Sequence, residues 1–291
     1  MKWLQAKYPH LFAHKYAINA KQLGDEAYLA WSNLGYWDEQ TASYPMACRQ
    51  LADQLAQAVQ LNSTDRLLDL GCGQGASLLY WQQQYKLAHI EAVELQAQCV
   101  TQIRHYLPHL FAIYQQSFLE LASISFPTTF DVVVCIDAAY HSNLNSFLES
   151  VNVVLHSEGR LGFHYLILSE KWLHLNTWQK KKYRYLLKAA DVNLNHLMTR
   201  MQFHQVLQDQ AFEDIQICNL SQAVLKGFAN YAQQLPAQAI SVDRIKIQMT
   251  AKLCHRLYRD GFIEYVQVSA KKQPSSALKR VIQKQQSLTQ K

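Results

Sequence analysis

The sequence predicts an α/β fold: a mostly parallel sheet with helices on both faces. Three observations carry that prediction. From Arg66 onward, short β-branched apolar runs alternate with stretches of helical period. The first run ends in a glycine-rich turn that opens a helix. At 291 residues, with 49% apolar and 17% charged side chains, the chain can bury a sheet on both faces. Parallel neighbours require right-handed crossovers, and the crossover helices supply that cover.

The elements follow in order. "RLLDL" (66–70) reads as a buried first strand and "ASLLYWQQQY" (76–85) as the helix after the turn. "IEAVEL" (90–95) is the second strand and "QAQCVTQIRHYL" (96–107) the second helix. "LFAIYQ" (110–115) is the third strand, and a loop runs to Pro127. "FDVVVCI" (130–136), "SFLESVNVVL" (146–155) and "GRLGFHYLIL" (159–168) read as strand, helix and fifth strand. The rhythm then breaks into a helical, Gln- and Lys-rich segment at about 170–210, the position of a lid between strands five and six. "EDIQICNL" (213–220) is the sixth strand, a helical stretch covers about 221–257, and "GFIEYVQVSAKK" (261–272) is the seventh strand. Residues 1–55 are expected to form a helical, aromatic-rich cap, residues 56–272 the main domain with its lid, and 273–291 a basic tail. Nine aromatics fall in the first 45 residues, well above the 11% average, which suits a helix pair capping a ligand pocket.

Composition excludes several classes. Six scattered cysteines without a CxxC pair argue against a zinc site or a disulfide framework, and point to a reducing cytoplasm. No apolar run approaches the roughly 20 residues that span a bilayer, and the N-terminus lacks the apolar core of a secretory leader. The net charge of +6 is mild and is concentrated in "KKKYR" (180–184) and the tail, so nucleic acid is not an expected partner. His10 with His14 and His105 with His109 have i, i+4 spacing, but no metalloprotease Glu accompanies them and Pro108 interrupts the second pair; no metal is expected. A homodimer is left open.

Gly71, Gly73 and Gly75 sit between strand and helix, where backbone N–H groups favour a negative ligand group. Such a turn serves two cofactor classes. Asp69, two residues before Gly71, would repel a dinucleotide pyrophosphate, whereas it can order the amine of a ligand carrying both amine and carboxylate. Glu94, at the tip of the second strand, suits the two hydroxyls of a ribose in either class.

"LLDLGCGQG", "VEL" and "FDVVVCIDAAYH" together resemble the successive motifs of class I S-adenosylmethionine-dependent methyltransferases, over about residues 30–170. "NLGYWDEQT" (33–41) and the histidine after strand four resemble the small-molecule branch, which includes sterol, quinone, tocopherol and cyclopropane-fatty-acid enzymes. The resemblance implies a Rossmann-like seven-stranded sheet and S-adenosylmethionine as cofactor. It places Gly71, Cys72 and Gly73 against the methionine part, with Tyr36 reaching its carboxylate. It places Glu94 and Leu95 at the ribose, Ser117 and Phe118 at the adenine, and Asp137 at the cofactor edge. His141, with Tyr140 beside it, becomes the expected catalytic pair, His141 as base. Trp37 and one of His164 and Tyr165 are expected to line the acceptor pocket. The sequence departs from the pattern in three places. No acidic residue stands at the adenine position, Tyr140 replaces the acidic residue of the cyclopropane-forming branch, and "GFHYL" is unusual on strand five. The expected reaction is methyl transfer to a small apolar, lipid, isoprenoid or aromatic acceptor. A nicotinamide-dependent oxidoreductase and a non-catalytic cofactor-binding module are the competing readings. A base-flipping nucleic-acid enzyme is disfavoured, because "IDAAY" stands where an Asn-Pro-Pro-Tyr signature would.

Overall fold

A computed structural model describes residues 19–236 and 241–274. The expectations for residues 1–18, and for the tail from 275 on, lie outside the described residues. Seven strands form one sheet: β1 (Arg66–Leu70), β2 (His89–Glu94), β3 (Ala112–Gln115), β4 (Phe130–Cys135), β5 (Leu155–Leu168), β6 (Phe212–Asn219) and β7 (Ile263–Lys272). Their order is β3-β2-β1-β4-β5-β7-β6, and β7 runs antiparallel to both its neighbours. The chain leaves β1 towards β2 on one side and returns through β4 on the other. The two strands lie side by side, and ligands in such sheets collect beyond the carboxyl ends at this switch point. The glycine turn after β1 and the "DAAYH" segment after β4 therefore flank one crevice.

The strands form where they do because they are covered on both faces. Leu67, Leu68 and Leu70 of β1 and Val132, Val133 and Val134 of β4 are fully buried, the continuous apolar signature of a central parallel strand. The helices are α1 (Tyr44–Ala58), α2 (Ala76–Gln84), α3 (Ala97–Tyr106), α4 (Leu144–Val154), α5 (Thr177–Ala189), α6 (Arg200–Asp209), α7 (Gly227–Gln234) and α8 (Val242–Asp260). Pro45 fits the first turn of α1, where its missing N–H costs nothing. Leu51 and Leu55 of α1 are fully buried, each contributing about 1.5–3 kcal/mol by burial. Leu55 reaches β5 because position 162 is glycine: a Cβ there would come within 2.6 Å of Val59 and 3.1 Å of Leu55.

The lid between β5 and β6 is helical as expected, and both of its helices start on capping boxes. Asn176 pairs with Gln179 at the start of α5, and Thr199 pairs with Gln202 at the start of α6. Among the described residues, no helix is long and apolar enough to cross a membrane.

Two features differ from the sequence reading. β5 begins at Leu155 rather than Gly159, because Leu155 turns extended (ψ 132°) directly at the end of α4 and a register shift follows against β4. The described part of the N-terminal region is not a helix pair. It is a single 3-10 turn (Ala20–Leu23), an irregular strap over residues 24–43, and α1. The strap's aromatics earn their burial through tertiary contacts rather than through helical periodicity.

Candidate cofactor and active site

The glycine turn is shaped by close approach. Gly71 donates its N–H to the Val93 carbonyl at 2.8 Å, which ties the end of β1 to β2. Gly73 has φ +57°, a left-handed conformation, and a Cβ there would lie 2.6 Å from Ser32 Oγ. A Cβ on Gly71 would come within 3.1 Å of Ala138 and 3.7 Å of the Phe118 ring, so this turn sits against both the β3 and the β4 loops. Glu94 closes the other side. Its carboxylate accepts the Gly73 N–H at 2.9 Å and the Gln96 N–H at 2.9 Å. Burial raises its pKa despite these bonds. Next to it Leu95 stands 60% exposed, an uncovered apolar side chain beside a buried carboxylate. The structure thus brings Gly71, Gly73, Glu94 and Phe118 together. Ser117 accepts the Leu119 N–H at 3.2 Å and so shapes its own loop.

Asp69 lies deeper than its expected role at a ligand amine suggests. It is 1% exposed and accepts the Trp81 indole N–H at 2.8 Å. Burial pushes its pKa up to about 6, against the lowering effect of Ser77 and Trp81. Together with Cys72 and Ser77 it forms the floor of a small cavity roofed by Trp31, Ser32 and Asn33 of the strap. The cavity measures about 20 Å³, room for one water-sized molecule.

The strap is held at several points. Its Leu34 N–H bonds to Asp137 Oδ2 at 2.9 Å, its Tyr36 N–H to the Ala47 carbonyl at 2.8 Å, and its Trp37 N–H to the Ala223 carbonyl at 3.1 Å. Trp37 stacks on Tyr231 with ring centroids 4.3 Å apart. It also packs against Gly227, where an added Cβ would come within 2.3 Å of the Trp37 Cβ. Trp37 therefore clamps the strap to α7 and to the π-helical turn (Gln222–Lys226) that precedes it.

At the end of β4, Asp137 adopts φ +55° and gathers four elements. The Tyr140 and Tyr265 hydroxyls both donate to its Oδ1 at 2.9 Å, from the β4 loop and from β7. Leu34 reaches its Oδ2 from the strap, and its own N–H donates to His164 Nδ1 of β5 at 3.3 Å. Burial outweighs the Tyr140, Tyr265 and Leu34 bonds and pushes its pKa up to about 6. Asp137 is thus a hub for the crevice wall rather than an open ligand contact.

His164 is fully buried. Its Nδ1 accepts from a backbone N–H, so Nε2 carries the proton and faces Gln267 Oε1 at 3.4 Å. Desolvation lowers its pKa to about 3. Tyr165 is also fully buried, with its hydroxyl on the Ser142 carbonyl at 2.7 Å. Neither residue has the place expected of an acceptor contact: the sheet is covered on both faces at this point. Tyr140 likewise departs from a catalytic place. Its hydroxyl is committed to Asp137, and burial raises its pKa well above the usual phenol value.

His141 closes a 3-10 turn, Ala139–His141, directly after β4 and remains partly exposed. Its Nδ1 lies 3.2 Å from the Asp191 carbonyl at the end of the lid helix. A carbonyl can only accept, so this bond puts the proton on Nδ1 and the lone pair on Nε2. Tyr140 supports the ring at 4.5 Å. Tyr265 and Gly227 were not singled out from sequence. Tyr265 carries no local signal, but an isolated glycine inside the helical pattern at 227 marks a close-packing position.

Residues 68–163 match the family profile described as "Methyltransferase domain". Two curated relatives match parts of this chain. An erythromycin 3''-O-methyltransferase from Saccharopolyspora erythraea is 32% identical over 115 residues, 38% of each chain. A 27-O-demethylrifamycin SV methyltransferase from Amycolatopsis mediterranei is 49% identical over 41 residues, 14% of this chain and 15% of that one. This chain thus spans well under half the length of either relative. Among solved structures, the mycolic acid cyclopropane synthase CmaA1, complexed with S-adenosylhomocysteine (SAH) and CTAB, superposes with a TM-score of 0.69 at 15% identity, covering 91% of this chain and 99% of that one. Geranyl diphosphate C-methyltransferase from Streptomyces coelicolor superposes with a TM-score of 0.67 at 15% identity, covering 92% and 97%.

Residues 68–163 thus resemble a methyltransferase domain, set in a Rossmann-like seven-stranded sheet. The crevice offers groups of the kinds that would suit S-adenosylmethionine. Two Cβ-free positions allow close approach, Glu94 stands at the tip of β2, and Leu95 and Phe118 offer apolar surface beside it.

Proposed function

We propose that this protein transfers a methyl group from S-adenosylmethionine to a small, largely apolar acceptor through a hydroxyl, with His141 as general base. The observation that carries the reading is the placement of His141. A histidine with its Nδ1 on a backbone carbonyl stands in the loop after β4, the strand that pairs with β1 at the switch point. Bound S-adenosylmethionine supplies an electrophilic methyl group. Gly71, Gly73 and Glu94 would hold it, and the strap from Ala30 to Trp37 would close over it.

An acceptor hydroxyl needs to lose its proton as its oxygen gains the methyl group. An imidazole within hydrogen-bond reach of that hydroxyl can take the proton as general base. The Asp191 carbonyl orients the ring and steadies the Nδ1 proton as Nε2 becomes protonated. The wall that Asp137, Tyr140 and Tyr265 form keeps the turn bearing His141 in place. Lid and strap exclude water, and proximity supplies the rest of the rate. The curated relatives are named as an erythromycin 3''-O-methyltransferase and a 27-O-demethylrifamycin SV methyltransferase, which agrees with a hydroxyl acceptor.

The test is a panel of hydroxylated macrolide, ansamycin and isoprenoid alcohols incubated with methyl-labelled S-adenosylmethionine. Labelled product with one acceptor class, and a fall of about 10²-fold or more in turnover for His141→Ala with unchanged SAH affinity, is the expected result. Full activity in His141→Ala removes the base. Cofactor binding with no product from any acceptor favours a binding module.

A further inference from the structure

The lid carries a surface that the proposed reaction does not use. Tyr183 and Leu187 of α5 are buried against the body of the protein, where Tyr183 packs on Trp172 and Phe262. On the outer side Trp178 is 69% exposed and Tyr185 64%, one heptad apart, and Leu173 on the preceding turn is 57% exposed. Lys181, Lys182, Arg184 and Lys188 are exposed on the same helix, and Lys171 stands exposed ahead of it. Glu170 is the sole acidic residue between 170 and 190. The Lys182 ammonium lies 5.6 Å above the Trp178 ring, so cation and aromatic present as one unit.

We propose that the outer face of α5, with Leu173, docks on an anionic lipid surface. The reasoning is charge and interface complementarity. Trp and Tyr settle at the headgroup boundary because each has an apolar body and a polar edge. Lysines extend their stems along the apolar surface and reach anionic headgroups. A helix with a basic, aromatic outer face lies in the interface plane without spanning the bilayer. A convex helix face carrying an aliphatic Leu beside its aromatics suits lipid better than nucleic acid, which needs a track for its phosphates and open ring faces for its bases. Lys182 already covers the Trp178 ring. The location gives the contact a consequence: α5 ends at Ala189, and the carbonyl of Asp191 just beyond it holds His141. Docking would therefore place the candidate active site next to the bilayer. The surface proposal is independent of the methyl-transfer reading.

The experiment is flotation of the full chain with vesicles of phosphatidylcholine alone and of phosphatidylcholine mixed with phosphatidylglycerol. It is repeated for Lys181→Glu/Lys182→Glu and for Trp178→Ser/Tyr185→Ser. Partition onto the anionic vesicles, weakened by added salt and at least tenfold weaker in both double variants, is expected. These side chains are exposed, so both variants should keep the wild-type melting temperature and SAH affinity. Equal partition onto neutral vesicles overturns the proposal, as does partition that the substitutions leave unchanged. Tighter binding to single-stranded RNA, or self-association abolished by the Trp178 and Tyr185 substitutions, assigns the face to another partner and also overturns it.

Discussion

Replacing Gly73 with alanine tests how the cofactor loop is built. The backbone at Gly73 is left-handed, with φ +57°, and an L side chain there costs about 1–2 kcal/mol. The added Cβ would also sit 2.6 Å from Ser32 Oγ, closer than real Cβ contacts fall, so the strap has to give way. Ser32 is short but held between Trp31 and Asn33, and Asn33 is fixed by the Tyr44 hydroxyl on its carbonyl. The overlap therefore adds to the backbone penalty. For a chain of this length, the backbone term alone lowers the melting temperature by about 2–3 °C. The assay is thermal denaturation together with calorimetric titration of SAH, for Gly73→Ala, Ser32→Gly and the double variant. The double variant should recover part of the lost stability, because the clash is relieved and the left-handed strain remains. Cofactor affinity should stay reduced, because the Gly73 N–H to Glu94 and the approach of the turn are both disturbed. Wild-type stability and affinity in Gly73→Ala would refute both the close approach and the left-handed turn.

Asp69→Asn should change how stability depends on pH. The buried carboxyl titrates near 6 instead of 3.8, so folding binds its proton more tightly. Its contribution is fully present below about pH 4 and is lost as pH rises through 6, a cost of up to about 3 kcal/mol at neutral pH. Relative to wild type, the variant should therefore gain stability between pH 4 and pH 7, as read by denaturant unfolding; a constant difference contradicts the burial argument. Asp137→Ala should loosen the strap and strand the Tyr140 and Tyr265 hydroxyls, costing about 1–3 kcal/mol and exposing the strap to limited proteolysis. Unchanged proteolysis would show that Leu34 is held elsewhere. Gly227→Ala should push Trp37 off α7, with a 2.3 Å contact to relieve, and should quench or shift tryptophan fluorescence; an unchanged spectrum and melting temperature would count against the clamp.

Much of the scaffold was legible because its signals are local. Each central strand is a continuous apolar run, since burial on both faces removes alternation, and the glycine turn announces itself by residue type. Glu94 was legible for the same reason, as the last residue of its strand. What stayed hidden depends on contacts between distant segments. Asp137 was singled out as a cofactor contact, yet its partners come from residue 34 and residue 265, and no spacing in the chain announces them. The sequence placed His164 and Tyr165 on alternating sides of a strand. It could not show that Phe203 of the lid helix α6 packs on Tyr165 while Tyr265 stacks on the buried His164, leaving neither residue open. The aromatic strap was read as helical because its composition is that of a packed helix pair, whereas its bonds run to α1, the β4 loop and the turn before α7.

Gly71, Gly73 and Glu94 are proposed to form an S-adenosylmethionine site. Calorimetric titration of SAH against wild type and Glu94→Ala, with NAD as the competing ligand, tests it most directly. Wild type is expected to bind SAH and not NAD, and Glu94→Ala to bind SAH at least tenfold more weakly while remaining folded. Binding of NAD without SAH, or equal SAH affinity in Glu94→Ala, would contradict this assignment.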